Sequence, residues 1–440
     1  MTFGWPDRSV LVKFRAWVSR KGRFLIVMLS VFLWALLWPT IFSNTKNLVD
    51  SFITGEKVLT EPLPLYGYLH IKNDDPLFKD YTFALDFAAV YFTAKNFDKK
   101  DVYTGKYDPW GRPTPHTPAA LFFYSKTFCK LPFWAAASAH LAFQAVLLLL
   151  ATFFIFQYYR IAFLFVPVSL VYAVMLTCSP VGLAWFERGQ FDIFAGLSLL
   201  FLMFGIYESK GYAFALAALF AAFKLTMALF FIQAFILYLL ICPGRAKWRF
   251  FAVFSGILLL VLISFPQHLM GFLTELQRIQ SSYVCGMTLV DKLPPVVSVL
   301  IPVFCTLLFL IPALLSSRKK EMFTEVFLPY MTGLAGINLL LLANNWEYRI
   351  ICYLGLLPMM IVWYLKFSTD LLYRYEVMAF FVLFLAAAFH MFWVISTAVS
   401  ADGYLMDGHL IAAYIAFYLA IMVVSLPRML FSGNNINSMH

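Results

Sequence analysis

Charge is what this sequence has least of. Only 13% of its 440 residues are Asp, Glu, Lys or Arg, while 62% are hydrophobic. A soluble domain carries about 25% charge and roughly 45–50% apolar residues, so a soluble globular chain is excluded. A mean hydropathy of +0.79 and repeated apolar runs of roughly 17–25 residues describe an all-α polytopic membrane protein. Metal-site patterns are lacking too. Cys129, Cys178, Cys242, Cys285, Cys305 and Cys352 include no CxxC and no Cys/His spacing. There is no compact DxD, and the histidines are scattered, so a metal-independent chain without a cofactor is expected. Gly/Ser linkers, low-complexity tracts and internal repeats are also missing. Residues 1–440 therefore read as one integral membrane unit with no separate soluble domain.

What the chain does have is apolar runs punctuated by basic turns. Spans are expected near 24–43, 133–156, 161–177, 191–207, 211–223, 226–242, 249–266, 294–316, 325–343, 350–366, 376–397 and 409–426, about twelve in all. The first follows a basic N-terminus and is too long for a signal-peptide core, so it reads as an uncleaved span. With the N-terminus cytoplasmic, Arg160, Lys210, Arg245/Lys247/Arg249, Arg318/Lys319/Lys320, Lys366/Arg374 and Arg428 all fall inside, as the positive-inside rule requires. The net charge of +10 is thereby explained by topology, not by nucleic-acid binding. Three of the six cysteines then face the opposite side, which allows a disulfide without arguing for one.

The remaining loops gather on the non-cytoplasmic face. The first, 44–132, carries eleven Lys/Arg and ten Asp/Glu. Its segments 82–97 and beyond 118 read as amphipathic helices in the interface plane. On a 100° wheel Asp86 shares the apolar stripe with Thr82, Phe83, Ala89, Val90, Thr93 and Phe97. A buried carboxylate must be paired, protonated or functional. The topology brings Asp86, Glu187, Arg188, Gln190, Asp192, Lys224, Arg278, Glu347 and Arg349 to one outer face. Ionisable residues at a membrane edge that do not set topology are functional candidates.

A carboxylate among cations and amides suits group transfer from an anionic leaving group. The carboxylate takes the proton of an acceptor hydroxyl, and the cations neutralise a departing phosphate. Each candidate also has an ordinary explanation. Asp86 could pair with Lys79, Lys224 could snorkel from a helix end, and Arg188 could pair with Glu187 or Asp192. Gln190 and Asp192 could cap the next span, and Arg349 could pair with Glu347. Tyr91 and Trp346 suit core or interfacial packing as well as a sugar platform, and His116 is a lone histidine in a Pro-rich loop. A transporter or flippase for an anionic solute or lipid-linked carrier would use the same cations. Transporters, however, place ionisable groups near the midplane between paired repeats.

Several stretches resemble glycosyltransferase family 87, membrane enzymes of the GT-C class. They are Asp86-Phe87 with Val90-Tyr91-Phe92 and Asp101-Val102-Tyr103, then His116-Thr117-Pro118-Ala119 as a partial match. Gly189-Gln190-Phe191-Asp192 opens a span, Lys224-Leu225-Thr226-Met227 lacks the family's proline, and Trp346-Glu347-Tyr348-Arg349 stands where the family often has Trp-x-His-His. The resemblance covers about residues 80–360. It implies a GT-C-like fold and transfer of a hexose, typically mannose, from a polyprenyl-phosphate donor to a glycolipid or glycan acceptor. The site would lie on the extracytoplasmic face of the plasma (inner) membrane. It implies Asp86 as catalytic base, and the cations Lys224, Arg188 and Arg349 on the same outer face are then expected at the donor phosphate. Gln190, Asp192, Tyr91, His116, Trp346 and Glu347 would contact substrate. A diphosphate-using ligase of the O-antigen type is disfavoured because its large outer loop comes late in the chain, whereas here it comes first.

Overall fold

The computed structural model describes residues 8–54, 84–108, 111, 114–241, 246–282, 285–286, 294–315, 327–340, 344–345 and 347–367. The described chain is helical: α1 (Arg8–Thr54), α2 (Leu85–Lys95), α3 (Pro118–Lys126), α4 (Phe133–Tyr158), α5 (Phe165–Thr177), α6 (Pro180–Arg188), α7 (Asp192–Glu208), α8 (Gly211–Phe223), α9 (Ala228–Ile241), α10 (Ala246–Ile263), α11 (Pro266–Ser282), α12 (Pro295–Leu315), α13 (Phe327–Leu340) and α14 (Tyr353–Phe367). Among the described residues, β structure is confined to a two-residue parallel pairing of Cys285 with Asn344 and Gly286 with Asn345.

Apolar helices of the expected kind are present. Among the described residues, by length and composition two could cross a membrane, Gly22–Asn47 within α1 and Phe133–Tyr158. A third counts if α10 and α11, bent by 102° at Ser264–Phe265, are taken as one broken span. Pro266 follows that bend and ends α10, because the residue before a proline avoids the helical region. The spans expected at 376–397 and 409–426 lie outside the described residues, as do residues 55–83, which include Lys79. Cys129, Cys178, Cys305 and Cys352 are free thiols.

α7 is the centre of the bundle. Every residue from Asp192 to Ile206 is buried, as expected of a helix apolar on all sides. It packs on α8, on α14 and on the 3-10 turn Glu347–Cys352. Glycines set the closest approach. A Cβ on Gly196 would collide with the Cys352 carbonyl, and one on Gly355 with the Gly196 carbonyl. α7 and the 347–352 turn are thus held backbone to backbone.

Two local expectations are corrected. α2 is not a one-sided amphipathic helix in the interface. Phe87, Ala88, Ala89, Val90, Tyr91, Thr93 and Ala94 are all buried, so protein covers nearly every face. The segment before Gly189, read as loop, is instead helix α6. Ser179 caps its N-terminus by accepting from the Gly182 N–H, Pro180 fills the first turn, and Gly189 closes the C-terminus in the left-handed conformation at φ 64°.

Candidate functional site

The α6–α7 junction and the start of α2 meet through Gly189. A Cβ there would stand 2.7 Å from Phe87 Cβ and 3.2 Å from Ala84 Cβ. The positive φ and the tight contact both require glycine. Opposite it, Ala84 precedes α2 in the left-handed region at φ 53°, a strained choice for a residue with a Cβ. This close fit sets Asp86 beside Gln190 and Arg188.

Gln190 links the cluster. Its side-chain N–H2 donates to Asp86, and its Oε1 accepts from Lys224 Nζ at 3.3 Å. The amide can point only one way, since its donor end must face the carboxylate and its acceptor end the ammonium. Arg188, at the end of α6, places Nη1 3.6 Å from Asp86 Oδ2. The Asp86 side chain remains 28% exposed, so the carboxylate is held by partners yet reachable from outside. Lys224 enters from the break between α8 and α9, where its backbone is extended at φ −149°, and its Nζ lies 5.9 Å from the Phe191 ring. Burial lowers the Lys224 amine pKa. Asp192 and Asp86 oppose that shift and Arg349 adds to it. Three cations, Arg188, Lys224 and Arg349, thus share the site with two carboxylates, Asp86 and Asp192.

Asp192 begins α7 and Arg349 sits on the 347–352 turn packed against it; both are buried. Among the described residues, Asp192 Oδ2 and Arg349 Nε have no hydrogen-bond partner. His116 is buried beside Lys224. Its Nδ1 lies 2.9 Å from the Phe223 carbonyl, which fixes that nitrogen as the N–H donor. Burial, with the Lys224 charge next, depresses its pKa to about 3, so the imidazole is neutral. The Tyr103 hydroxyl donates to the His116 carbonyl at 2.9 Å, and Thr117 Oγ1 donates to the Ala222 carbonyl at 2.6 Å. These bonds tie the 103–117 loop to the Lys224 break.

The structure therefore brings together Asp86, Arg188, Gln190, Asp192, Lys224 and Arg349, with His116 at the edge. Tyr91 is elsewhere. Its hydroxyl donates to the Leu131 carbonyl at 2.7 Å and its ring packs on Phe133, a core position. Trp346 and the Glu347 side chain lie outside the described residues. Arg278, gathered with these residues from the sequence, pairs with Glu275 at 2.8 Å on α11.

Two residues of α4 had not been singled out. Gln144 Nε2 donates to the Gln190 carbonyl at 2.7 Å and lies 2.9 Å from His140 Nε2. His140 Nδ1 lies 2.7 Å from the Tyr124 hydroxyl. This buried chain holds the Gln190 backbone from behind. Its signal was present as a His and a Gln four residues apart inside an apolar run, on one helix face.

Chemically, the arrangement offers a reachable carboxylate that can take a proton, beside an excess of cation that can meet an anion. Comparison with family models, with curated proteins and with solved structures gives no match to this chain.

Proposed function

We propose that the chain is an inverting glycosyltransferase that moves a hexose from a polyprenyl-phosphate donor to a hydroxyl acceptor. The observation that carries this reading is the Asp86–Gln190–Lys224 chain, with Arg188 on the same carboxylate. One amide sets a base and a buried cation at fixed spacing, as a reaction that moves a proton and releases an anion requires. Asp86 takes the proton from the acceptor hydroxyl as its oxygen attacks the anomeric carbon. The carbon–oxygen bond to phosphate breaks, and polyprenyl phosphate leaves with the electron pair. Lys224, Arg188 and Arg349 stabilise the charge it carries away. Gln190, Asp192 and His116 line the substrate side.

The resemblance to glycosyltransferase family 87 supports mannose as the sugar and a glycolipid or glycan as the acceptor. It also supports a GT-C-like bundle of about twelve spans. In this reading the N-terminus is cytoplasmic and the site faces the extracytoplasmic side of the plasma (inner) membrane. A polyprenyl donor dissolved in the bilayer accounts for a site built at the ends of apolar helices.

The test uses the purified full chain in nanodiscs with radiolabelled polyprenyl-phosphate mannose and a total lipid extract. Wild type moves label to a new lipid, and Asp86→Asn does not. An Asp86→Asn protein that folds and transfers at the full rate removes the base assignment. A wild type that binds the donor, transfers to no acceptor and carries it across the bilayer instead supports a flippase.

A further inference from the structure

Two buried charged side chains of the cluster keep polar atoms unspent. Asp192 is 1% exposed and Arg349 9% exposed, yet among the described residues Asp192 Oδ2 and Arg349 Nε have no hydrogen-bond partner. Both groups act electrostatically on the same two neighbours, the Lys224 amine and the Cys352 thiol. A third unspent atom belongs to an element packed against them. Trp185 Nε1 is buried without a partner on α6, and α6 and α7 both pack on the turn that carries Arg349. A buried polar atom without a partner is costly, more so when charged. Two of these atoms lie on helices that both pack on the turn bearing the third, a place where a ligand can supply the missing bonds.

The chemistry of the unspent atoms selects the ligand. A bare phosphate has only acceptors to offer and is repelled by Asp192 Oδ2. A hydroxyl both donates and accepts, so it satisfies the carboxylate and an N–H together. We infer that Asp192 and Arg349, with Trp185 as the third contact, form a hydroxyl-recognition subsite for the sugar carried by the donor, beside the phosphate-binding cations. Resting on the proposed function, this deepens it by dividing the site. Lys224, Arg188 and the charge of Arg349 meet the phosphate, while Asp192 and the Nε edge of Arg349 distinguish a hexose from its absence and one hexose from another. A site built to bond a substrate hydroxyl discriminates strongly, because a missing hydroxyl leaves its buried groups unpaired.

The experiment measures binding to the full chain in nanodiscs with three probes: farnesyl phosphate, farnesyl phosphoryl-mannose and methyl mannoside. In Asp192→Asn, farnesyl phosphoryl-mannose and methyl mannoside should each weaken by about tenfold or more. Farnesyl phosphate should bind as well as to wild type or more tightly, because a negative charge has left a cationic site. Trp185→Phe keeps the packing, loses one N–H and should weaken the two sugar-bearing probes alone. If Asp192→Asn shifts both farnesyl lipids by the same factor, or shifts none of the probes, the subsite is overturned. Should Asp192→Asn fail to fold, Trp185→Phe decides by the same criterion. If wild type ignores farnesyl phosphate but binds methyl mannoside in an Asp192-dependent way, the phosphate reading falls and the subsite stands. If it binds none of the three, both fall.

Discussion

Two polar clusters lie within this apolar bundle, and they are built differently. The first joins α9, α12 and α13. Gln233 donates to the Pro302 carbonyl and to Thr306 Oγ1, both at 3.1 Å, and accepts from Asn338 Nδ2. Asn338 also donates to the Leu334 carbonyl. The groups are neutral, and every bond but that of Asn338 Oδ1 is closed inside the cluster. The second cluster is charged, draws on five separate segments and leaves both a carboxylate and a guanidinium with unused atoms. Neutral amides that satisfy one another fasten helices together. Charges that leave bonds unmade are costly to bury and mark a candidate ligand site.

The largest expected difference comes at Asp86. Asp86→Asn keeps an oxygen for Gln190 and loses the base. Transfer should fall by about 10²–10⁴-fold with the melting temperature unchanged. A parallel loss of stability would make Asp86 a structural group like Gln233.

Acid probes the edge of the charged cluster. The folded pKa of His116, about 3, lies below its ordinary value of 6.5, so the unfolded chain takes up this proton first as pH falls. Stability is whole above pH 6.5 and declines toward pH 3. At about pH 4.5 the loss from this group is roughly 2–3 kcal/mol. Melting temperatures measured between neutral and mildly acidic pH should therefore fall more steeply for wild type than for His116→Asn. Equal slopes would place the acid sensitivity on other groups.

Gly196→Ala forces a Cβ against the Cys352 carbonyl. It should cost about 1–3 kcal/mol and also weaken donor binding, because the displaced turn carries Arg349. A stability loss with binding intact would separate the 347–352 turn from the site. The smallest effect is expected at Gln233→Leu, about 1 kcal/mol of stability with transfer unchanged. Lost transfer there would bring the neutral cluster into the function.

Much of the charged cluster was legible in the sequence. Gln190, Asp192, Arg188, Lys224 and Arg349 are polar residues at the ends of apolar runs, where an unneeded charge is expensive. Asp86 stood out as a carboxylate among apolar neighbours. Tyr91 was equally conspicuous and went to the core, because an aromatic ring with a hydroxyl satisfies a buried carbonyl as readily as a ligand. His140 and Gln144 stand out as a polar pair four residues apart in an apolar run, but their partner is the Gln190 backbone carbonyl, which nothing in the sequence points to.

Composition alone settled that this is a helical, membrane-type chain, because so few charges cannot clothe a soluble surface. Alternating apolar runs and turns also settled where most helices begin and end. The sequence could not tell α1 from α7, two apolar helices with opposite surroundings. Only 11% of the apolar stretch of α1 is buried, whereas α7 is buried from Asp192 to Ile206. Hydropathy measures what a residue avoids, and both lipid and protein satisfy that. Which of the two surrounds a helix was decided by tertiary packing, by the glycines at 189, 196 and 355 that admit close backbones. The same packing brought Asp86 to Gln190 across 104 residues of chain.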